Sequence, residues 1–267
     1  MRNHDWGPIS DVACLSALPI RRVEYEAFIL EAAGLVYRKT LHYQGYQIDF
    51  SGSDLLALAD FAKRAIMKSI GEMAGVGKMS VVYEALSHIA RVVKFHRQGR
   101  TSFGHVRRAR GPLKNLPRSA WLYAATLAAK LELKRLERLY PKVSLPRPVA
   151  LTKHAVTIEL VNVDLLGQVT LVNPEESLEI ILVGPKKAFH LGIIHSDLSE
   201  FNRIIYDDGI KIIDWLRAVD LNHLGAFEKL KWDVSDNLGF FERKNKVRMI
   251  LAEILKYIRT PATEACQ

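Results

Sequence analysis

The stretch His195-Ser196-Asp197-Leu198-Ser199-Glu200-Phe201-Asn202, followed by Ile212-Ile213-Asp214, indicates both the fold and the chemistry of this chain. Asp197 and Asn202 are five positions apart, and Asp214 follows Asn202 by twelve. One carboxylate can orient an attacking hydroxyl, while an amide oxygen and a second carboxylate hold a metal ion that bridges phosphates. This order is typical of phosphoryl transfer from magnesium-bound ATP. The alternative is a chance His-x-Asp in a loop before an ordinary hairpin.

The residues between Asn202 and Asp214 predict a β-hairpin. Two short apolar segments, 203–206 and 210–213, flank Asp207-Asp208-Gly209, and Asp-Gly is a favoured hairpin turn. A hairpin would bring Asn202 and Asp214 to the same end, where both can face one cation.

A glycine-containing segment, Gly75-Val76-Gly77-Lys78-Met79-Ser80, precedes this region. Glycines let the backbone approach phosphates closely and offer N–H groups to them. The segment is not a Walker A loop, because Glu72 and Met79 stand where that motif needs Gly and Ser or Thr. We expect it to join two strands, as in kinases, with Ser80 in place of a third glycine. Candidate nucleotide-binding residues are Gly75, Val76, Gly77, Lys78 and Ser80.

Lys94 and Glu132 are candidates for a lysine–glutamate pair that grips the phosphates. Lys94 closes the apolar strand predicted over residues 89–95, and Glu132 is the first acid of a helix predicted from Trp121 to Tyr140. The alternatives are a lysine at a fraying strand end and an ordinary solvated glutamate.

Residues 149–161 predict two strands that lead into a hinge between lobes. Backbone groups of Glu159 and Val161 could there pair with the edge of adenine. A helix then begins at Asn173-Pro174 and runs to about His190 despite Pro185 within it.

Residues 1–70 predict a small unit with the order helix, helix, β-ribbon, helix, which is that of a winged helix. The last of these helices is expected from Leu55 to Met67, capped by Ser51-Gly52-Ser53-Asp54. The second helix carries Arg21, Arg22, Glu24 and Glu26, a mixed face. Nucleic-acid binding and simple docking to the larger domain both stay open.

Positive charge is concentrated in one segment of the 267-residue chain, whose net charge is +9. From Ala85 to Leu131 there are ten basic residues and no acidic one, while the rest has 28 basic against 29 acidic residues. Such a concentration of positive charge favours a polyphosphate, RNA or DNA ligand.

The sequence shows no signal pattern and no run of eighteen uncharged apolar residues. Two cysteines, Cys14 and Cys266, suggest neither a disulfide framework nor a metal site. We therefore expect a cytoplasmic protein with no membrane partner.

Taken together, these motifs resemble the RIO atypical protein kinases, specifically the second subfamily. The matching segments are 75–78, Val93-Lys94-Phe95-His96, Gly99-Arg100-Thr101-Ser102-Phe103, Leu145-Pro146-Arg147-Pro148, 195–202 and 212–214. The resemblance implies an α+β fold, with an N-terminal winged helix (1–70) before a compact two-lobed kinase-like domain (71–267) that lacks a long activation loop. Its lobes would span about 71–160 and 161–267.

The resemblance also implies a function. It predicts a serine/threonine kinase and ATPase that uses ATP and Mg²⁺, with Mn²⁺ as a substitute, and that phosphorylates itself or another protein. Its partner would be the small ribosomal subunit precursor and its rRNA. Asp197, Lys94 and Glu132 would be catalytic, Asn202 and Asp214 would bind metal, and Asp214 could take a transient phosphate. Thr101 and Ser102 are candidate phosphate contacts.

Several positions depart from the family pattern. Met79 and Val81 replace two acids, Ser196 replaces a smaller residue, Trp215-Leu216-Arg217 replaces Phe-Pro-Gln, and Trp232 replaces an arginine. None removes a predicted metal ligand or the base, so the expected effect is on turnover. Two other functions stay open: a nucleotide-gated rRNA-binding assembly factor, and a winged-helix DNA-binding regulator.

Overall fold

The computed structural model describes residues 6–40, 42–87, 89–97, 118–161, 164–206 and 209–261. Residues 98–117 of the basic segment, which include Thr101 and Ser102, and the turn residues Asp207 and Asp208 lie outside these ranges. The described helices are α1 (Ile9–Ser16), α2 (Ile20–Ala32), α3 (Phe50–Lys63), α4 (Arg118–Leu139), α5 (Pro174–His190), α6 (Ala226–Asn245) and α7 (Leu251–Arg259).

The described strands form four small sheets. They are β1 (Gly7–Pro8), β2 (Val36–Thr40), β3 (Gln44–Ile48), β4 (Ser69–Val76), β5 (Ser80–Leu86), β6 (Arg91–His96), β7 (Pro148–Thr152), β8 (Ala155–Glu159), β9 (Asp164–Leu165), β10 (Ile193–Ile194), β11 (Arg203–Tyr206), β12 (Gly209–Ile212) and β13 (Val219–Asp220). The sheet orders are β1-β3-β2, β4-β5-β6-β8-β7, β12-β11-β9 and β10-β13.

The chain divides into two compact units. One consists of Met1–Lys130 with Ala150–Thr157, and the other of Leu131–Val149 with Ile158–Gln267. The domain boundaries expected at residue 70 and near residue 160 stay predictions. Among the described residues, no helix combines the length and apolar character needed to cross a bilayer.

The first unit begins with α1, α2, the β2–β3 ribbon and α3, which confirms the predicted winged-helix order. The short strand β1 was not predicted, because two residues carry no periodicity. The predicted start of α3 is wrong. The helix begins at Phe50, so Gly52 lies inside it rather than before it. The glycine allows close packing, because a Cβ at this position would meet the Leu35 carbonyl oxygen at 2.2 Å.

A buried polar cluster joins α3 to the five-stranded sheet within the first unit. The Ser53 hydroxyl lies 3.1 Å from Nδ1 of His154, and Nε2 of His154 lies 2.8 Å from the Asp54 carboxylate. Arg97, just after β6, forms an ion pair with the same carboxylate. Because Ser53 and His154 are buried, their polar groups depend on these partners, and the cluster fixes α3 against the sheet.

The second unit has two apolar clusters. One packs α5, α6 and α7 together around Leu178, Phe241 and Ile258. The other packs the end of α4 against β12 and the fully buried Trp215. Asp214 is followed by α6 at Ala226, which confirms that no long activation loop is inserted there.

Candidate active site

The β11–β12 hairpin has the predicted geometry. Its strands pair antiparallel with Arg203 opposite Ile212, and the N–H of Ile213 donates to the carbonyl of Asn202 at 3.0 Å. The hairpin therefore brings Asn202 and Asp214 to the same end, as expected. The cation-binding role of the two side chains stays a prediction.

The loop that carries Asp197 is held from beneath by Asp233 of α6. The Asp233 carboxylate accepts hydrogen bonds from the N–H of Ser196 at 2.7 Å and the N–H of Leu198 at 3.0 Å. Asn237, one turn further along α6, donates to the carbonyl of Leu198 at 3.0 Å. Ser196 has a φ of +67°, a left-handed conformation that these bonds maintain.

Burial of Asp233 raises its pKa to about 6, because removal from water penalises the charged form. Its two backbone hydrogen bonds and the nearby Arg203 act in the opposite direction. Arg203 is itself buried and donates to the Leu198 carbonyl at 3.1 Å. The loop thus rests on hydrogen bonds from buried polar groups, and the buried charges of Asp233 and Arg203 attract each other.

Asp197 and Asn202 lie next to each other. Nδ2 of Asn202 donates to the backbone carbonyl of Asp197 at 2.7 Å, which turns the Asn202 Oδ1 away from that carbonyl. The Asp197 carboxylate remains 40% exposed and lies 3.3 Å from Nη1 of Arg217. An exposed carboxylate on a fixed loop can meet a hydroxyl that arrives from solvent.

Asp214 begins a tight turn with a φ of +61°. Trp215 anchors this turn, because its buried indole Nε1–H donates to the Ile212 carbonyl at 3.2 Å. Arg135 of α4 donates to the carbonyls of Trp215 and Leu216. A tryptophan at this position therefore fills the core and still leaves Asp214 at the end of the hairpin.

His195 acts as a support for the same turn. Its Nε2 lies 2.9 Å from the Ile213 carbonyl, and its ring packs edge-on against Trp215. Burial lowers the pKa of His195 to about 4, so the imidazole is neutral near pH 7 and donates to that carbonyl. It positions the chain beside Asp214.

The glycine-containing loop joins two strands, as predicted. Gly75 and Val76 end β4, Ser80 begins β5, and the N–H of Gly77 donates to the Ser80 carbonyl at 2.8 Å to close the turn at Lys78. A Cβ added at Gly75 would meet no atom of the described residues within 4 Å. The loop therefore leaves room beside its backbone for a ligand.

Lys94 and Glu132 are both buried, at 8% and 3% exposure. Lys94 pairs with Val82 within the central part of the sheet, so the alternative of a lysine at a fraying strand end is wrong. The alternative of a solvated Glu132 is wrong as well. The two residues belong to different units, and their pairing stays a prediction.

Glu159 can offer only part of its backbone to adenine. Its N–H donates to the Arg147 carbonyl at 2.9 Å, so this N–H is already engaged. Its carboxylate accepts from the Arg147 N–H at 3.0 Å. Val161 follows β8 and is half-buried, and its contact with adenine stays a prediction.

Two family models match the chain: the RIO domain over residues 81–254 and the Rio2 N-terminal domain over residues 1–64. A RIO-type serine/threonine-protein kinase Rio2 from Methanocaldococcus jannaschii is 34% identical over 97% of this chain and 99% of its own length. The chain belongs to the RIO protein kinase family. Its N-terminal match places it in the second subfamily, as the sequence motifs predicted.

Other RIO kinases are similar to this chain in sequence and in structure. The Rio2 kinase of Saccharomyces cerevisiae is 31% identical over 78% of this chain, and that of Caenorhabditis elegans is 32% identical over 91%. The chain spans about half the length of these two relatives. The Rio2 kinase–ADP/Mg²⁺–phosphoaspartate complex of Chaetomium thermophilum matches with a TM-score of 0.84 at 27% identity, covering 96% of this chain and 81% of that one.

Sequence reasoning missed most of the residues that support the site. Trp215 is named only as a departure from the RIO pattern, and Asp233, Arg135 and Arg217 are assigned no role from the sequence. The contacts of Asp233, Arg135 and Arg217 join residues 20 to 81 positions apart, so no local spacing could have revealed them. The one usable signal is a pair of polar residues, Asp233 and Asn237, which lie four positions apart and so share one helix face.

Proposed function

We propose that this chain transfers the γ-phosphoryl group of ATP, in the presence of Mg²⁺, to a serine or threonine hydroxyl. The observation that carries the proposal is the hairpin end, where Asn202 and Asp214 emerge together and Asp197 is hydrogen-bonded to Asn202. The names of the Rio2 relatives and the ADP/Mg²⁺ complex of the Chaetomium protein support it.

Asp197 would orient the hydroxyl and accept its proton as the new oxygen–phosphorus bond forms. The bond from the γ-phosphorus to the bridging oxygen breaks at the same time, and ADP leaves with that electron pair. The rigid support of the Asp197 loop by Asp233 serves this step, because positioning supplies much of the catalysis in phosphoryl transfer.

The residues present fit a magnesium ion. Asp214 supplies a carboxylate, and the hydrogen bond from Nδ2 of Asn202 leaves the amide oxygen as its ligand atom. When bound, the cation neutralises charge on the phosphates. Mn²⁺ prefers the same oxygen ligands and is expected to substitute. Asp214 is also the proposed site of a transient phosphate, by analogy with the phosphoaspartate complex.

The test is incubation of the purified chain with γ-labelled ATP and Mg²⁺, beside an Asp197→Asn variant. We expect the variant to lose transfer by about a hundredfold or more, since general-base contributions are of that order. Nucleotide affinity should change little, because Asp197 is assigned to the acceptor. Wild-type rates in Asp197→Asn would contradict the catalytic assignment.

We further propose a role in maturation of the small ribosomal subunit, with the precursor rRNA as partner and the cytoplasm as location. The support is the ten-residue positive excess between Ala85 and Leu131. Tighter binding to rRNA than to duplex DNA across a series of salt concentrations would support it, because specificity is more diagnostic than affinity. Tighter binding to duplex DNA would favour the DNA-binding regulator, and equal binding to both would contradict specific rRNA recognition.

The second candidate is a nucleotide-gated rRNA-binding assembly factor with little turnover. The observation that favours it is the ion pair between Arg217 and Asp197, which engages one carboxylate oxygen of the assigned base. Nucleotide binding without phosphoprotein or released phosphate would support this candidate over the kinase.

A further inference from the structure

A cavity of about 570 Å³ opens beside Asp197 in the second unit. One wall is the loop that carries Asp197, and the other is the beginning of α6. None of the roles assigned above uses this space. The residues that line it on the side of α6 are Gly225, Glu228, Lys229, Trp232, Asp233 and Asp236.

Asp233 fixes the distance between the two walls. Its carboxylate binds the backbone on both sides of Asp197, and it is only 5% exposed. Glu228, Trp232 and Asp236 recur every four residues on the same helix, so they share one face. From Glu228 to Asp236 this face extends about 12 Å, at roughly 1.5 Å per residue.

The cavity differs in charge from the chain as a whole. The chain carries a net charge of +9, whereas the cavity wall has three carboxylates that reach solvent, at Asp197, Glu228 and Asp236. Asp197 is paired with Arg217, so Glu228 and Asp236 stand against one lining cation, Lys229. A cavity of this sign attracts cationic groups.

Trp232 adds a specific contact surface. It is 76% exposed although it lines the cavity. An exposed indole face attracts a guanidinium or ammonium group through the charge distribution of its ring. Trp232 therefore offers this wall a surface on which a cationic side chain can lie.

We propose that this cavity binds the phosphoacceptor as a serine-bearing peptide with arginine or lysine within about four residues of the serine. The peptide's basic side chain would lie on Trp232 between the carboxylates of Glu228 and Asp236, while its serine reaches Asp197. An extended peptide rises about 3.3 Å per residue, so four residues span the helix face. The inference rests on the proposed kinase function and names its acceptor.

Peptide binding tests the inference without requiring turnover. Fluorescently labelled serine peptides that differ only in arginine, glutamine or glutamate beside the serine are titrated with the full chain, and anisotropy is recorded. We expect the arginine peptide to bind several-fold tighter than the glutamine peptide, and the glutamate peptide to bind most weakly. The preference should shrink as salt is raised.

Three variants locate the binding surface. Asp236→Asn and Trp232→Ala should each weaken the arginine peptide by roughly two- to fivefold, the usual size of one exposed ion pair or cation–π contact. Binding of the glutamine peptide should change less. Glu253→Gln in α7 also removes an exposed carboxylate but lies outside the cavity, and it should match the wild type.

Transfer kinetics separate the inference from the function on which it rests. In a phosphorylation assay Asp236→Asn should raise KM for the arginine peptide and leave kcat nearly unchanged. Equal affinity for all three peptides, or equal loss in Glu253→Gln, would overturn the acceptor assignment even if phosphate is transferred. Selective binding with no transfer to any peptide or to the chain itself would instead contradict the kinase function.

Discussion

At the level of single residues, two buried groups beside the site respond to pH in opposite directions. Burial raises the pKa of Asp233 to about 6 and lowers that of His195 to about 4. Between pH 4 and 6 the folded chain retains a proton on Asp233 that the unfolded chain has lost, so this contribution to stability falls as pH rises. Between about pH 4 and 6.5 the unfolded chain retains a proton on His195 that the folded chain has lost. The contribution of His195 to stability therefore rises with pH over this range.

Replacing Asp233 by asparagine should remove the contribution to stability that falls as pH rises. We expect the free energy of unfolding of Asp233→Asn, relative to the wild type, to increase by about 2 kcal/mol from about pH 4.5 to about pH 6.5. Urea denaturation at the two pH values measures this difference. Parallel pH dependence of the two proteins would show that Asp233 ionises in the folded chain as it does in water.

The sequence predicted the residues whose relation is local. Asp197, Asn202 and Asp214 could be found because their spacing and a twelve-residue hairpin segment encode their relation. Asp233 was not predicted to hold the loop, because it lies more than thirty residues further along the chain and meets the loop only in the folded structure. Arg217 reaches Asp197 only through the tight turn that Trp215 anchors, which no periodicity reveals.

At the level of elements, Gly52 determines how closely α3 approaches the end of α2. A Cβ here would lie 2.2 Å from the Leu35 carbonyl oxygen and 2.9 Å from a side-chain carbon of Ile48. Both neighbours are held in place by the β2–β3 ribbon, since the Asp49 N–H donates to the same Leu35 carbonyl at 3.0 Å. The helix cannot accept a side chain at this position without moving.

Gly52→Ala should therefore destabilise the chain although alanine is the better helix former. Alanine favours a helix interior by up to about 1 kcal/mol, but the clash should outweigh this and cost about 2 kcal/mol or more overall. Gly75→Ala is the matched control, because its Cβ meets no described atom within 4 Å. Thermal unfolding of the two variants measures the difference, and equal midpoints would contradict the close contact.

Elements were predictable where one pattern dominates. The two hairpins, the long helix α4 and the helix that begins at Pro174 follow directly from apolar periodicity and turn residues. The start of α3 was not, because Ser51-Gly52-Ser53-Asp54 resembles a cap while its small residues serve close packing and the polar cluster with His154.

At the level of the whole molecule, the residues predicted for catalysis and nucleotide binding are divided between the two units. The first contains the glycine-containing loop and Lys94, and the second contains Glu132, Asp197, Asn202 and Asp214. The supports of Asp197 and of Asp214 all lie within the second unit, from Arg135 to Asn237. Trp215 and Arg217 therefore contribute packing and charge beside the predicted site residues Asp214 and Asp197.

The most direct test of the account is whether Asn202 and Asp214 share one cation. Thermal stabilisation by ADP, with and without Mg²⁺, is measured for the wild type, Asn202→Ala, Asp214→Ala and the double variant. A ligand that binds only the folded chain raises its stability according to its affinity, so the Mg²⁺-dependent increment reports the ion. We predict that each single variant loses nearly all of this increment and that the double variant loses no more. Full increments in the single variants, or losses that simply add in the double variant, would contradict a shared ion.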